Sequence, residues 1–311
     1  MIVIACPGQG SQTPGFLSAW LDEPGARDFL ERASTATGVD LLIHGTTSDA
    51  DTIRDTQIAQ PLIVAASLLA WQALSARTSL DAAGVAGHSV GEFAAAAAAG
   101  VLSEADALTL VGIRGRAMAA AAAEAETGMS AVVGGVESDV LAAIDAHGLT
   151  AANRNGGGQI VAAGPLAGLA ALAEEAPRGA RVIPLQVAGA FHTSYMSPAV
   201  PVLAEAAARV TPHAPVRRLW SNADGELVSD GADVLERLVS QIAQPVRWDA
   251  CMESFQAHGI TGLIELAPAG ALVGLAKRGL KGVPTVAVKT PEDLEAAVAL
   301  LAGEATPEGE R

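Results

Sequence analysis

Ser89 lies in the stretch Val85-Ala86-Gly87-His88-Ser89-Val90-Gly91-Glu92-Phe93, with a glycine two residues to either side. The pattern G-x-S-x-G serves covalent catalysis when a short apolar strand precedes it and a helix follows. The turn between them is too sharp for side chains beside the serine, and its hydroxyl is held out. At the start of the helix, free N–H groups face any oxyanion that develops on an acyl carbon. A serine that only caps a helix fits the bare pattern equally well. The hydroxyl is also a poor nucleophile until a base takes its proton, so the reading needs a base.

The chain holds six histidines: His44, His88, His147, His192, His213 and His258. His88 adjoins Ser89, and a tight elbow turns its side chain elsewhere. His147 and His258 each precede a glycine at the end of a helical run, the place of a C-terminal cap. His192, in "VAGAFHTSYM", stands at an apolar strand end and is the best base by elimination. A third residue stands out by its place on a helix. Ala107, Leu110, Val111 and Met118 share one face of the run after Ser103, and Arg114 falls on that same face. A guanidinium among apolar side chains needs an anion. On spacing alone a carboxylate of the protein itself is the expected partner, and an anionic ligand is the alternative.

The elements that must carry these residues read as α/β. "MIVIAC" is a strand closed by Pro7-Gly8, and the run from Ala59 to Leu74 is a buried helix with Pro61 near its start. A helix from Val90 to about Ala99 ends at Gly100 as a left-handed cap, and Ser103 with Asp106 resembles a capping box for the next helix. From about Met129 to Val187 the order is β-α-β-β-α-β, the split unit of a ferredoxin-like domain. The expected organisation is a hydrolase-like catalytic domain over residues 1–127 and 188–311, built on a parallel sheet with a strand-to-helix nucleophile elbow. A ferredoxin-like subdomain is inserted at 128–187. "AGAFHTSYM" opens a helical stretch, and the polar tail "GEATPEGER" is expected to fray.

Composition bounds the function. With 311 residues, half of them apolar, the chain can bury one sizeable core. No apolar stretch is expected to reach the roughly 20 uncharged residues of a membrane span, and the N-terminus lacks a basic leader with a cleavage site, so a soluble, cytoplasmic protein is expected. Two cysteines, Cys6 and Cys251, make no disulfide framework, and no Cys/His cluster has metal-ligand spacing. No metal or cofactor is expected. A net charge of −15 argues against nucleic acid.

The segments "PGQGSQ", "GHSVGE", "GIRGRAM", "GAFH" and "QIAQPVRW" occur in an order and spacing that resemble the malonyl-CoA:acyl carrier protein transacylases and the acyltransferase domains of polyketide synthases. The resemblance runs from Ile2 to about Lys289. It implies a ping-pong transfer of malonyl from coenzyme A to the phosphopantetheine thiol of acyl carrier protein, for fatty acid synthesis. By the resemblance, Ser89 is the nucleophile and His192 its base, while Gln9 and the N–H of Val90 serve the oxyanion. Arg114 pairs with the free carboxylate of malonate, which replaces the internal ion pair as the expectation. Phe191 goes with malonyl rather than methylmalonyl specificity. Gln241 orients His192 through a carbonyl oxygen, a backbone role that leaves its side chain replaceable. Asn155 and Gln159 match a loop of the small subdomain, but Gly156-Gly157-Gly158 departs from the family's proline-containing version and leaves them without an assigned role.

The partners implied are malonyl-CoA and an acidic acyl carrier protein, met by a monomer. Lys277, Arg278 and Lys281 offer a basic patch for docking, although cations at a helix C-terminus also serve the helix dipole. A serine esterase or thioesterase would use the same elbow but has no use for Arg114. A noncatalytic scaffold would have no need of Ser89 and His192. A trans-acting polyketide acyltransferase or the acyltransferase of a malonate decarboxylase fits the same residues.

Overall fold

The computed structural model describes residues 1–303; the polar tail beyond, whose fraying was expected, lies outside the described residues. The chain opens with β1 (Ile2–Cys6), α1 (Ala26–Thr37), α2 (Leu41–Thr46) and α3 (Thr56–Ser75). The elbow region follows as β2 (Gly84–Gly87), α4 (Gly91–Ala98) and α5 (Glu104–Ala122). Next come β3 (Thr127–Gly134), α6 (Glu137–Ala146), β4 (Thr150–Gly156), β5 (Gln159–Pro165), α7 (Leu166–Glu174) and β6 (Ala180–Pro184). The chain then runs through α8 (Ala199–Ala207), α9 (Gly231–Ser240), β7 (Val246–Arg247) and α10 (Trp248–Ala257). It closes with β8 (Gly262–Glu265), α11 (Ala271–Gly279), β9 (Thr285–Ala287) and α12 (Leu294–Ala302).

Four strands form a parallel sheet in the order β2-β1-β8-β9. Its residues alternate between two cores: Ile2, Ile4, Cys6, Val85 and Ile264 face one, and Val3, Ala5, Ala86 and Leu263 face the other. Burial on both faces is what a parallel sheet covered by crossover helices requires. The register Cys6↔Gly87 sets the ends of β1 and β2 side by side, so the Pro7-Gly8 loop and the Ser89 turn leave the sheet together at its carboxyl edge. That edge is where open α/β sheets present their sites.

α3 departs from the sequence reading in two ways. Asp55 caps it through the N–H of Gln57, so the helix starts at Thr56 and Pro61 falls inside it. Its 20 residues carry no charge, and it is long and apolar enough to cross a membrane, contrary to expectation. Here it is a core helix, packed against α5 and α4 and buried along nearly its whole length.

A second sheet has the order β6-β3-β5-β4-β7. Its first four strands pair antiparallel, and α6 and α7 cover one face through Val132, Ile160, Val140, Ile144, Leu169 and Leu172. The fifth strand, β7, pairs parallel to β4 and comes from beyond residue 187, so the small sheet is completed by a segment that the sequence reading gave to the large domain. Met129, Ala131 and Val161, on the uncovered face, turn toward the elbow and wall a cleft. The opposite wall is α11. The buried carboxylate of Glu265 holds the start of that helix by accepting the N–H groups of Gly270, Leu272 and Val273.

The elbow glycines are there for space. A Cβ on Gly91 would overlap the carbonyl oxygen of Cys6, and one on Gly87 would overlap the backbone of Gly91. Gly91→Ala is therefore expected to cost about 3 kcal/mol, since overpacked backbone cannot give way as a flexible side chain does. Gly274→Ala, where an added Cβ meets nothing within 4 Å, should instead gain about 0.5 to 1 kcal/mol of helix stability. Urea unfolding of the two variants checks this, and a Gly91→Ala protein as stable as the wild type would refute the steric account.

Candidate active site

Ser89 adopts φ 52°, a left-handed conformation costly for a residue with a Cβ. Hydrogen bonds on both sides hold it there. The N–H of Ser89 donates to Oδ1 of Asn222 at 2.7 Å, and Nδ2 of Asn222 donates to the carbonyl of Gly87 at 2.7 Å. One buried amide thus clamps the turn, and the hydroxyl projects into a cleft of about 340 Å³.

His192 stands 2.7 Å from Ser89, Nε2 to Oγ. Its Nδ1 lies 2.8 Å from the carbonyl oxygen of Gln241, which can only accept, so Nδ1 carries the proton and Nε2 presents its lone pair to the serine. No strand carries His192; it sits in irregular backbone at φ 62°, followed by a short 3-10 turn. Burial, followed by the field of Arg114, lowers its pKa to about 3, so the imidazole is neutral.

Arg114 is fully buried, and no carboxylate within the described residues pairs with it. The internal ion pair that spacing alone suggested is absent among the described residues. Two neutral amides hold the guanidinium instead: Nη1 donates to Oε1 of Gln60 at 2.7 Å, and Nη2 to Oε1 of Gln241 at 3.0 Å. Nη2 lies 3.5 Å from Oγ of Ser89, and Nε has no partner among the described residues. Burial lowers its pKa to about 10, against the pull of Glu92, which leaves the group charged. A cation is thus held beside Ser89 with no carboxylate in contact among the described residues.

Gln241 does more than lend a carbonyl. Its side-chain Nε2 donates to the carboxylate of Glu92 and to the carbonyl of Ser89, so a replaceable side chain is not what the structure shows. Burial pushes the Glu92 carboxyl up to about 8, opposed by the N–H of Asn222, by Arg114 and by Gln241. Both of its oxygens accept N–H groups, the arrangement of a carboxylate.

Gln9 and Val90 border the cleft, and among the described residues their backbone N–H groups have no hydrogen-bond partner in the chain. The side chain of Gln9 is engaged with Arg54 and Thr56, so only its backbone is free to donate. Phe191 is buried in the cleft wall. His88 turns from Ser89, as expected of a tight elbow, but borders the same cleft. Its Nε2 meets Oδ1 of Asn155 at 2.8 Å, and Asn155 donates to Gln159 at 2.8 Å. Those two residues, left without a role by the sequence, tie the small sheet to the elbow.

Lys277, Arg278 and Lys281 are exposed around the end of α11. Arg278 reaches the cleft and donates to the carbonyl of Gly157 at 3.3 Å. Burial raises the thiols of Cys6 and Cys251, Cys6 to about 12, so neither is a ready nucleophile. Gln60, Glu92 and Asn222 were missed as site residues. Gln60 left one signal, a polar side chain within an apolar helix. Glu92 lay inside the quoted motif, and Asn222 in "WSNADG" reads as a turn.

The acyl transferase domain model matches residues 3–310. The malonyl CoA-acyl carrier protein transacylase of Mycobacterium tuberculosis is 52% identical over 297 residues, 95% of this chain and 98% of that protein. The crystal structure of MCAT from the same organism superimposes with a TM-score of 0.93 at 51% identity, covering 95% of this chain and 99% of the other. A malonyl-transacylase solved with its type II PKS acyl-carrier protein gives a TM-score of 0.89 at 27% identity, covering 96% and 99%.

The low pKa of His192 has a kinetic consequence. Modification of Ser89 by an activated acyl ester should keep its rate, within about twofold, from pH 8 to pH 5, because a base that titrates at about 3 stays neutral throughout. An acid limb centred near 6.5 would contradict the burial of the imidazole. The stability linkage has the matching sign: a depressed pKa contributes stability above 6.5 that is lost as pH falls toward 3.

Proposed function

The chain belongs to the acyl transferase domain family, and from that premise we propose that it transfers malonyl from malonyl-CoA to the phosphopantetheine thiol of an acyl carrier protein, for fatty acid synthesis. The observation that carries this reading is Arg114, a buried cation 3.5 Å from the Ser89 hydroxyl with no carboxylate of its own. Malonyl is an acyl group with a carboxylate at its far end, and a guanidinium fork suits a carboxylate in two-point contact. An esterase for neutral acyl chains would gain nothing from it.

In the first half-reaction Oγ of Ser89 attacks the thioester carbonyl while its proton passes to Nε2 of His192. The Gln9 and Val90 N–H groups, with the N-terminus of α4 behind them, stabilise the oxyanion. Collapse breaks the C–S bond, His192 returns the proton to the departing thiolate, and malonyl remains as an ester on Ser89. In the second half-reaction His192 takes the proton of the carrier thiol, whose sulfur attacks the ester, and the serine oxygen leaves with that proton. The Gln241 carbonyl keeps the imidazole in the required tautomer without adding a charge. Phe191 closes the pocket around malonyl and disfavours the methyl branch of methylmalonyl.

The finer fold reading is a hydrolase-like catalytic domain over 1–127 and 188–311 with a ferredoxin-like insert at 128–187. The Ser89 turn between β2 and α4 supports the first, and the antiparallel order β6-β3-β5-β4 the second. On this reading the enzyme is a cytoplasmic monomer; its charge of −15 speaks against a nucleic-acid partner, and the burial of α3 against that helix spanning a membrane. A polyketide carrier is the alternative acceptor, favoured by the neighbour solved with such a partner.

Ser89→Ala should abolish the malonyl adduct seen by intact mass after brief exposure to malonyl-CoA, and a persistent adduct would remove the nucleophile assignment. Arg114→Ala should lower kcat/KM for malonyl-CoA relative to acetyl-CoA by roughly 30- to 4,000-fold, the equivalent of about 2 to 5 kcal/mol for a desolvated charge pair. An unchanged ratio would make Arg114 structural. Reversing Lys277 and Arg278 to Glu should raise KM for carrier protein and flatten its salt dependence, because rim charges act through steered encounter. Equal loss toward malonyl-CoA would assign the patch to coenzyme A instead.

A further inference from the structure

Glu92 lies in the first turn of α4, where acidic residues ordinarily serve the helix dipole from an exposed position. This one is buried, with 6% of its surface exposed, and no cation among the described residues touches it. A buried carboxylate is costly unless its acceptor sites are filled. Two amides fill them. Oε1 accepts the backbone N–H of Asn222 at 2.7 Å, and Oε2 accepts Nε2 of Gln241. Around it stand Arg114 on α5 and Arg237 on α9, whose fields favour its charge without contact, and Cys251 on α10, whose thiol the Glu92 charge helps to push up.

Both partners lead to the reacting groups. Asn222 clamps the Ser89 turn from both sides. Gln241 accepts from Arg114 through Oε1 while Nε2 faces Glu92 and the Ser89 carbonyl. An arginine only donates and a carboxylate only accepts, so a single orientation of the Gln241 amide satisfies both. We propose that Glu92 is a positioning residue whose carboxylate fixes the Asn222 and Gln241 amides, and through them sets the nucleophile turn and the Arg114 guanidinium in one register. For Arg114 the proposal rests on the malonyl reading; for Ser89 it needs only the elbow.

Glu92→Gln keeps the shape and puts an NH₂ group opposite one of those two donors. With the NH₂ toward Gln241, either the donor pair stays opposed or Gln241 turns over and presents its NH₂ to Arg114, and the receptor for the acyl carboxylate loses its register; with the NH₂ toward the Asn222 N–H, the clamp on the Ser89 turn is disturbed instead. The variant is expected to melt close to the wild type yet lose about tenfold more kcat/KM toward malonyl-CoA than toward acetyl-CoA, the scale of one misplaced hydrogen bond to a charged group. Glu92→Asp, still an acceptor on both oxygens, should give a ratio between those of wild type and Glu92→Gln. If Glu92→Gln does not fold, Glu92→Asp alone must still lower the ratio. An unchanged ratio, equal losses toward both thioesters included, would overturn the Arg114 half, and undiminished kcat/KM toward both would leave Glu92 a structural residue and overturn the proposal whole. A wild type that forms no malonyl ester would overturn the malonyl reading and the Arg114 half with it. The Ser89 half is then read from modification by an activated ester, which Glu92→Gln must slow if that half stands.

Discussion

A guanidinium with no carboxylate in contact among the described residues, buried next to a serine, is the constraint around which the rest of this molecule is arranged. Taking Arg114 out of water carries a large desolvation cost, and an internal carboxylate would have been the simplest way to offset it. Such a partner would also have cancelled the charge that the site holds beside Ser89. Gln60 and Gln241 satisfy donors of the group without neutralising it. Burial chiefly, and the field of Arg114 in addition, keep His192 unprotonated.

That arrangement needs residues from five places in the chain to meet at one edge of a parallel sheet. Gln60 comes from α3, Ser89 from the turn after β2, Arg114 from α5, His192 from the segment after the small sheet, and Gln241 from the turn after α9. The common reference is the pair of strands β1 and β2, which deliver the Ser89 turn beside Pro7-Gly8. The small sheet closes the other side of the cleft. It is tied down by the chain from His88 through Asn155 to Gln159 and by β7, so its position relative to the nucleophile is set by polar contacts as well as packing.

What the sequence showed follows from how local each cause is. The elbow was legible because steric exclusion acts between Gly87, Gly91 and the ends of two strands, and glycine is the signature of such crowding. The order of elements in the small sheet was legible because its periodicity is local. Arg114 announced itself by a charge on an apolar face, but its partners did not, because the amides of Gln60 and Gln241 lie 54 and 127 residues away. β7 was hidden for a similar reason: two residues pairing across more than 90 positions leave no periodic trace. The lack of charge along α3 satisfies a membrane-span test as readily as a core-helix test, and only packing separates them.

The central claim is that the cleft selects an acyl group by its far carboxylate before Ser89 takes it. The wild-type protein, mixed with malonyl-CoA and acetyl-CoA at equal concentration and quenched within one turnover, tests this directly by peptide mapping of Ser89. The account predicts a malonyl ester on that serine in large excess over acetyl. Equal labelling, or acetyl in excess, would contradict it.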